Sequence, residues 1–243
     1  SIAILGGCGP MGLGAVSYAL AIENKPAKVI VTDIDDAKLA RANEVISVEE
    51  AKEKGVELIY VNTAKMDDPV NGLKALSVDG KGFDDVFIFA PNEEMVTYGV
   101  KMLAFDGCLN FFSGPADQEF SSRVNFYNIH YNSTHFVGTS GGNTEDMKQS
   151  IELIENKTVN VAKIATHILG LDHAVETTKA LPELEGSKKI VYTHKKFPLT
   201  EVDKFDENSD DKYIRELKSI VERNGNLWSG EAERYFIQNA PEI

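Results

Sequence analysis

Ile2-Ala3-Ile4-Leu5-Gly6-Gly7-Cys8-Gly9-Pro10-Met11-Gly12 is the stretch that decides how this chain folds. Four apolar residues run straight into glycines, and a helical pattern rich in Ala, Leu and Val follows over residues 11–22. The pattern predicts a short buried strand, a tight turn and a helix. Gly7, Gly9 and Gly12 have the spacing G-x-G-x-x-G. The first glycine permits the turn. The second leaves no Cβ where an anion must approach the backbone, and the third lets the helix pack close to the strand. Behind them the helix N-terminus offers unpaired N–H groups and a positive dipole end to a pyrophosphate. Pro10 suits the first helical turn, where its missing N–H costs nothing.

Working outward, residues 28–32 form a second strand with Val29, Ile30 and Val31 at its centre, and it ends at Asp33, 21 residues after Gly12. A carboxylate there accepts hydrogen bonds from an adenosine ribose and repels a 2′-phosphate, so the expected cofactor is NAD. NADP stays possible because Lys38 lies nearby. The competing reading of Asp33 is a solvated turn acid or a helix cap. Residues 36–43 read as helix, and Ser47-Val48-Glu49-Glu50 as a capping box opening a short helix that stops at Gly55. A third strand covers residues 56–61. The fourth, Val86-Phe87-Ile88-Phe89-Ala90, is apolar throughout, as a strand buried on both faces would be. Asn92 caps a helix that is expected to run to Asp106-Gly107, with a fifth strand over residues 108–112 and a sixth over 134–137. Strands alternating with helices give an α/β fold, a doubly wound six-stranded parallel sheet of order 3-2-1-4-5-6.

Ligands of such sheets bind outside the carboxyl ends of the strands. Ala90 and Asn92 are therefore expected near the nicotinamide ribose, Phe112, Ser113 and Gly114 near the nicotinamide, and Thr139 in the turn after the sixth strand. Ordinary turn chemistry accounts for these segments equally well. The candidate cofactor-binding set is Gly7, Gly9, Pro10, Met11, Gly12, Asp33, Lys38, Ala90, Asn92, Phe112, Ser113, Gly114 and Thr139. Beyond residue 143 the pattern turns largely helical, over residues 144–155, 172–181, 212–223 and 229–238, with one strand at 189–193. An acidic linker, residues 201–211, carries Asp203, Asp206, Glu207, Asp210 and Asp211. The expected division is a dinucleotide-binding domain, residues 1–150, and a helical C-terminal extension, residues 151–243.

The 243 residues carry 25 Lys and Arg against 38 Asp and Glu, a net charge of −13. That balance argues against a nucleic-acid binder, which needs a basic face, and against an anionic membrane surface. No apolar run approaches the roughly 20 residues that span a bilayer. Cys8 and Cys108 make neither a disulfide framework nor a zinc-ligand spacing, which points to a reducing, cytoplasmic setting. His130 with His135 and His167 with His173 lack helical metal-ligand spacing, and Tyr192 with Lys196 falls at the end of a late strand rather than on a helix. The sequence thus carries a cofactor site and no evident reaction centre, and no metal ligands or catalytic residues are assigned. Its first strand begins at residue 2, which suggests an excised or truncated domain.

Gly6-Gly7-Cys8-Gly9-Pro10-Met11-Gly12 with Asp33-Ile34-Asp35 resembles the cofactor (Rossmann) domain of medium-chain, zinc-type alcohol dehydrogenases. Gly138-Thr139-Ser140-Gly141-Gly142, Thr166-His167-Ile168-Leu169-Gly170 and Leu227-Trp228-Ser229-Gly230-Glu231 look like one branch, the L-sorbose-1-phosphate reductases and related polyol dehydrogenases. The resemblance implies an NAD(P)-dependent oxidoreductase passing a hydride between nicotinamide and a sugar alcohol, ketose or sugar phosphate. It implies zinc in an N-terminal domain absent from this chain, so that the chain alone is inactive. It also implies a homodimer through an edge strand near residues 134–138. Pro91 stands where many members carry glycine. The rival readings are a non-catalytic dinucleotide sensor and, less favoured, a methyltransferase using S-adenosylmethionine.

Overall fold

The strand that opens the chain, β1 (Ile2–Leu5), lies inside a parallel sheet and pairs on both sides, Ile4 with Val31 on one flank and with Phe87 on the other. The computed structural model describes residues 1–206 and 208–243, so Glu207 of the acidic stretch lies outside the described residues. The chain divides into two units, Ser1–Val159 and Asn160–Ile243.

In the first unit β1 is followed by α1 (Pro10–Ala21), β2 (Lys28–Asp33), α2 (Asp36–Val45), α3 (Val48–Glu53) and β3 (Glu57–Asn62). Then come α4 (Pro69–Leu76), β4 (Phe83–Ile88), α5 (Glu93–Met102), β5 (Leu103–Phe111), α6 (Phe126–Asn132), β6 (His135–Gly138) and α7 (Thr144–Glu155). The sheet order is β3-β2-β1-β4-β5-β6, the doubly wound order the alternation implies. Ile30, Val86, Ile88 and Leu109 fill the core with Val96, Val100 and Met102 of α5.

Three details depart from expectation. The helix after Asn92 ends at Met102, not at Asp106-Gly107. Those two residues lie inside β5, where the pairing to β4 shifts between Phe83 and Asp85 and Asp106 takes φ 60°. A Cβ on Gly107 would stand 2.8 Å from the Phe83 carbonyl oxygen, so the bulge is fixed by a close backbone approach. Second, β4 is not buried on both faces: Phe83, Val86 and Ile88 are buried, while Phe87 and Phe89 are half-buried. Third, neither α6 nor α4 was foreseen. Asp68 caps α4 by accepting from the Asn71 N–H at 3.0 Å and Pro69 opens it, but its single buried residue, Leu73, leaves little periodic signal.

The second unit is more than a helical extension. β7 (Ala165–Gly170) sits between β8 (Lys188–Tyr192), parallel to it, and β9 (Thr200–Glu201), antiparallel. Three helices follow the chain order as α8 (Ala174–Ala180), α9 (Lys212–Arg223) and α10 (Gly230–Asn239). Leu217, Ile220 and Val221 of α9 pack with Phe197, Trp228 and Phe236. The acidic stretch is no mere linker, because Val202 and Phe205 are buried in this core. Trp228 Nε1 donates to Tyr192 Oη at 2.7 Å, which donates to Glu233 Oε1 at 2.6 Å, so the buried polar tips are satisfied.

Candidate functional site

The glycine turn occupies the carboxyl end of β1. Gly7 N–H donates to the Thr32 carbonyl at 2.9 Å and prolongs the β1–β2 pairing. The left-handed residue of the turn is Gly6, at φ 66°, one position before the G-x-G-x-x-G motif. Gly7 is needed for packing instead, since a Cβ there would stand 2.6 Å from Ile4 Cγ2 and 2.8 Å from Val31 Cγ1. Gly12 lies against the same turn. A Cβ on it would come 2.2 Å from the Gly7 carbonyl oxygen, so α1 sits directly on the strand–turn backbone. Around Gly9 nothing comes within 4 Å of a built Cβ. Three glycines therefore serve two purposes: Gly7 and Gly12 close the packing, and Gly9 keeps a face open.

At that open face the start of α1 has no side-chain cap. Pro10 has no N–H, and Leu13 N–H returns to Gly9 O at 2.9 Å. The amides of Met11 and Gly12 are the donors left at the helix mouth. With the dipole behind them, they make a place for an anion.

Asp33 ends β2, half-buried. Its Oδ1 accepts from Ile34 N–H at 2.8 Å and Asp35 N–H at 3.2 Å. The turn-acid reading is thus realised at one oxygen, and those bonds orient the carboxylate. Among the described residues no donor reaches Oδ2. Burial pushes the Cys8 thiol up to about 12, with Asp33 and Asp35 adding to the rise and Lys38 opposing it. Asp35 serves the next helix, for its Oδ1 accepts from Ala37 N–H at 2.8 Å and caps α2.

Of the other candidates, Ala90 lies closest to the turn, for a Cβ on Gly6 would stand 3.0 Å from Ala90 Cβ. Asn92 is committed to α5, its Oδ1 accepting from Met95 N–H at 2.9 Å. Phe112 N–H and Ser113 Oγ both donate to the Ile88 carbonyl at 3.2 Å, so the ends of β5 and β4 are strapped together. Gly114 has open space around it. Thr139 follows β6, three strands away from β1 in the sheet order and exposed. Sequence reading missed Asp36, Asn62 and Lys65, which meet beside Asp33. Asn62 Nδ2 donates to Asp36 Oδ1 at 2.7 Å and Lys65 Nζ to Oδ2 at 2.6 Å. Only the β2–β3 pairing, Asp33 opposite Asn62, brings them together.

Residues 10–156 match the family model described as zinc-binding dehydrogenase. The chain belongs to that family. Two curated relatives are similar over nearly its whole length. L-sorbose 1-phosphate reductase of Klebsiella pneumoniae is 46% identical over 240 residues, covering 99% of this chain and 55% of that protein. Mannitol-1-phosphate 5-dehydrogenase of Aliivibrio fischeri is 44% identical over 239 residues, covering 98% of this chain and 56% of that protein. The chain thus spans about half the length of the curated relatives it matches. A solved protein from Sinorhizobium meliloti, described as a zinc-binding dehydrogenase bound to NADP, superposes at a TM-score of 0.64 with 19% identity over 79% of this chain and 52% of that one. The likeness establishes a shared fold. For the zinc in the family's description, the described residues provide no group of three or more His, Cys, Asp or Glu side chains able to hold a metal ion. The described residues do not fit that ion.

Proposed function

We propose that the unit Ser1–Val159 binds a nicotinamide dinucleotide, NAD in preference to NADP, and that the whole protein is an oxidoreductase of a sugar alcohol, ketose or sugar phosphate. The observation that carries this reading is the open face at Gly9 beside the uncapped start of α1, with Asp33 oriented next to it. In this reading the Met11 and Gly12 amides hold the pyrophosphate, and the missing Cβ of Gly9 admits it to van der Waals distance of the backbone. Asp33 Oδ2 accepts from the adenosine ribose and repels a 2′-phosphate. Ala90, Phe112 and Ser113, at the strapped ends of β4 and β5, flank the nicotinamide half. When bound, the cofactor supplies hydride chemistry at its nicotinamide ring. The names of the two relatives support the sugar-phosphate class. Solved neighbours of this fold hold NADH in one case and NADP in another, so the preference proposed here rests on Asp33 and not on the fold.

The same reading assigns zinc and the substrate contacts to parts of the protein outside these 243 residues, and has the residues beyond 150 pack against them. It pairs two copies along β6, which ends the sheet. Both cysteines are free thiols, in keeping with a cytoplasmic setting.

Titration with NADH, followed by its fluorescence, tests the reading. A saturable enhancement is expected, and no saturation up to millimolar NADH overturns it. Asp33→Ser removes a charge-assisted hydrogen bond of roughly 1.5–3 kcal/mol. NADH affinity should fall about tenfold or more, with NADPH affected less. Equal affinities for both cofactors before and after the change would place Asp33 outside the ribose site.

A further inference from the structure

A second set of charges stands at the corner where β2 and β3 end. Asn62 is the register partner of Asp33, and Thr63 Oγ1 donates to the Asp33 carbonyl at 3.5 Å, so the two strand ends are tied together. From that corner Asn62 and Lys65 reach across to Asp36, the first residue of α2, and between them occupy both its carboxylate oxygens. The side chains of Asp36 and Lys65 are 64% and 66% exposed, so their ion pair adds little to stability. Lys65 first, and Asn62 after it, hold the Asp36 carboxyl below its ordinary value.

What the pair changes is the field beside the ribose acid. A 2′-phosphate bound next to Asp33 needs a cation at this corner, since phosphate recognition rests on charge-assisted bonds from Lys or Arg. Lys65 is a cation on the β3 side of Asp33, and its ammonium group already faces a carboxylate. Seen from the ribose, the Asp36–Lys65 couple is nearly neutral, and Asp33 is left to act on the 2′ position.

We propose that Asp36 is a specificity-determining residue: by holding Lys65 it denies a 2′-phosphate a cation, in addition to Lys38, that the β3 side of this corner would otherwise present. The proposal rests on the dinucleotide reading above and deepens it. Asp36 touches neither ribose hydroxyl in this scheme. It acts through Lys65, so its removal strengthens binding of the wrong cofactor rather than weakening binding of the right one.

The test is a set of NADH and NADPH titrations on the protein, on Asp36→Asn, on Lys65→Met and on the double variant. Asp36→Asn should tighten NADPH about tenfold, the gain of one charge-assisted contact, while NADH affinity moves by about threefold at most. The NADPH gain should shrink with added salt, as an exposed charge interaction does. Adding Lys65→Met to Asp36→Asn should remove the gain, and Lys65→Met alone, which leaves the Asp36 carboxylate without its cation, should lower NADPH affinity relative to NADH and not raise it. The proposal falls if Asp36→Asn leaves that ratio unchanged, if it weakens both cofactors together, or if the gain survives without Lys65. A protein that binds neither dinucleotide before any substitution sinks the cofactor reading, and this proposal with it. Normal NADH binding with an unmoved ratio sinks this proposal alone.

Discussion

Gly9 and Gly12 stand three residues apart and answer to different demands, which makes them a matched pair for separating fold from function. A methyl group on Gly12 meets the Gly7 carbonyl oxygen at 2.2 Å and the Gly7 Cα at 2.5 Å, both backbone atoms that cannot rotate away. Overpacking of that kind costs about 1–3 kcal/mol. The gain of about 1 kcal/mol from replacing a helical glycine by alanine does not offset it. Gly12→Ala should therefore lower Tm by several degrees and impair NADH binding along with it. At Gly9 nothing lies within 4 Å, so Gly9→Ala should leave the Tm where it was. It should still weaken NADH markedly, because the methyl group fills the face a pyrophosphate needs. Thermal unfolding and NADH titration on both variants read the two effects apart. Wild-type affinity in Gly9→Ala would mean that the pyrophosphate does not lie on this turn. The open face at Gly9 and the close packing at Gly12 were legible in the sequence, because the motif fixes its own spacing. The left-handed residue was not: Gly6 and Gly7 are adjacent glycines, and only the pairing of Gly7 N–H to Thr32 decides which of them turns the chain.

At the scale of elements the same logic applies to Asn92, which sequence reading gave both to a helix and to the cofactor. Its Oδ1 accepts from Met95 N–H, so the structure gives the side chain to α5. Asn92→Ala should cost about 1 kcal/mol, the usual loss for an N-cap, seen as a lower Tm in thermal unfolding. Its effect on NADH affinity should be small beside that of Gly9→Ala. A steep loss of NADH binding with an unmoved Tm would instead make Asn92 a cofactor contact. Elements with strong local signals were readable in advance: β2 from its apolar run, α7 and α9 to the residue from their caps and periodicity. Those that failed depend on distant chain. The β5 bulge exists because Gly107 meets Phe83, 24 positions earlier, and no local pattern announces such a contact. β7 went unread because Thr166 and the buried His167 interrupt its apolar run, and their polar atoms are satisfied only by folding, Thr166 Oγ1 lying 2.9 Å from His167 Nδ1 and accepting from Ser187 N–H at 2.8 Å. The corner of Asp36, Asn62 and Lys65 was invisible for the same reason, since it requires the β2–β3 register.

The proposed pairing of two copies belongs to the scale of the whole molecule, where charge and edge oppose each other. β6 is the last strand of the sheet, and all four of its residues are exposed, including Phe136 at 36% and Val137 at 46%. Among the described residues its outer edge has no strand partner, and an apolar edge of this kind favours pairing with another chain. Against that, each copy carries a net charge of −13, so two copies repel over the reach of a Debye length. If β6 is the contact, sedimentation at micromolar protein should show a dimer whose association tightens as salt is raised, because screening removes the repulsion while the strand pairing and apolar contacts persist. An interface built on cross-subunit ion pairs would show the opposite sign, loosening with salt. Val137→Lys places a cation on the edge, as natural edge strands often do to prevent pairing. It should give a monomer at concentrations where the parent is dimeric, with Tm measured on the monomers nearly unchanged because the side chain is already half in solvent. A parent that stays monomeric at tens of micromolar in high salt, or a Val137→Lys variant that dimerises as well as the parent, rules out β6 as the contact.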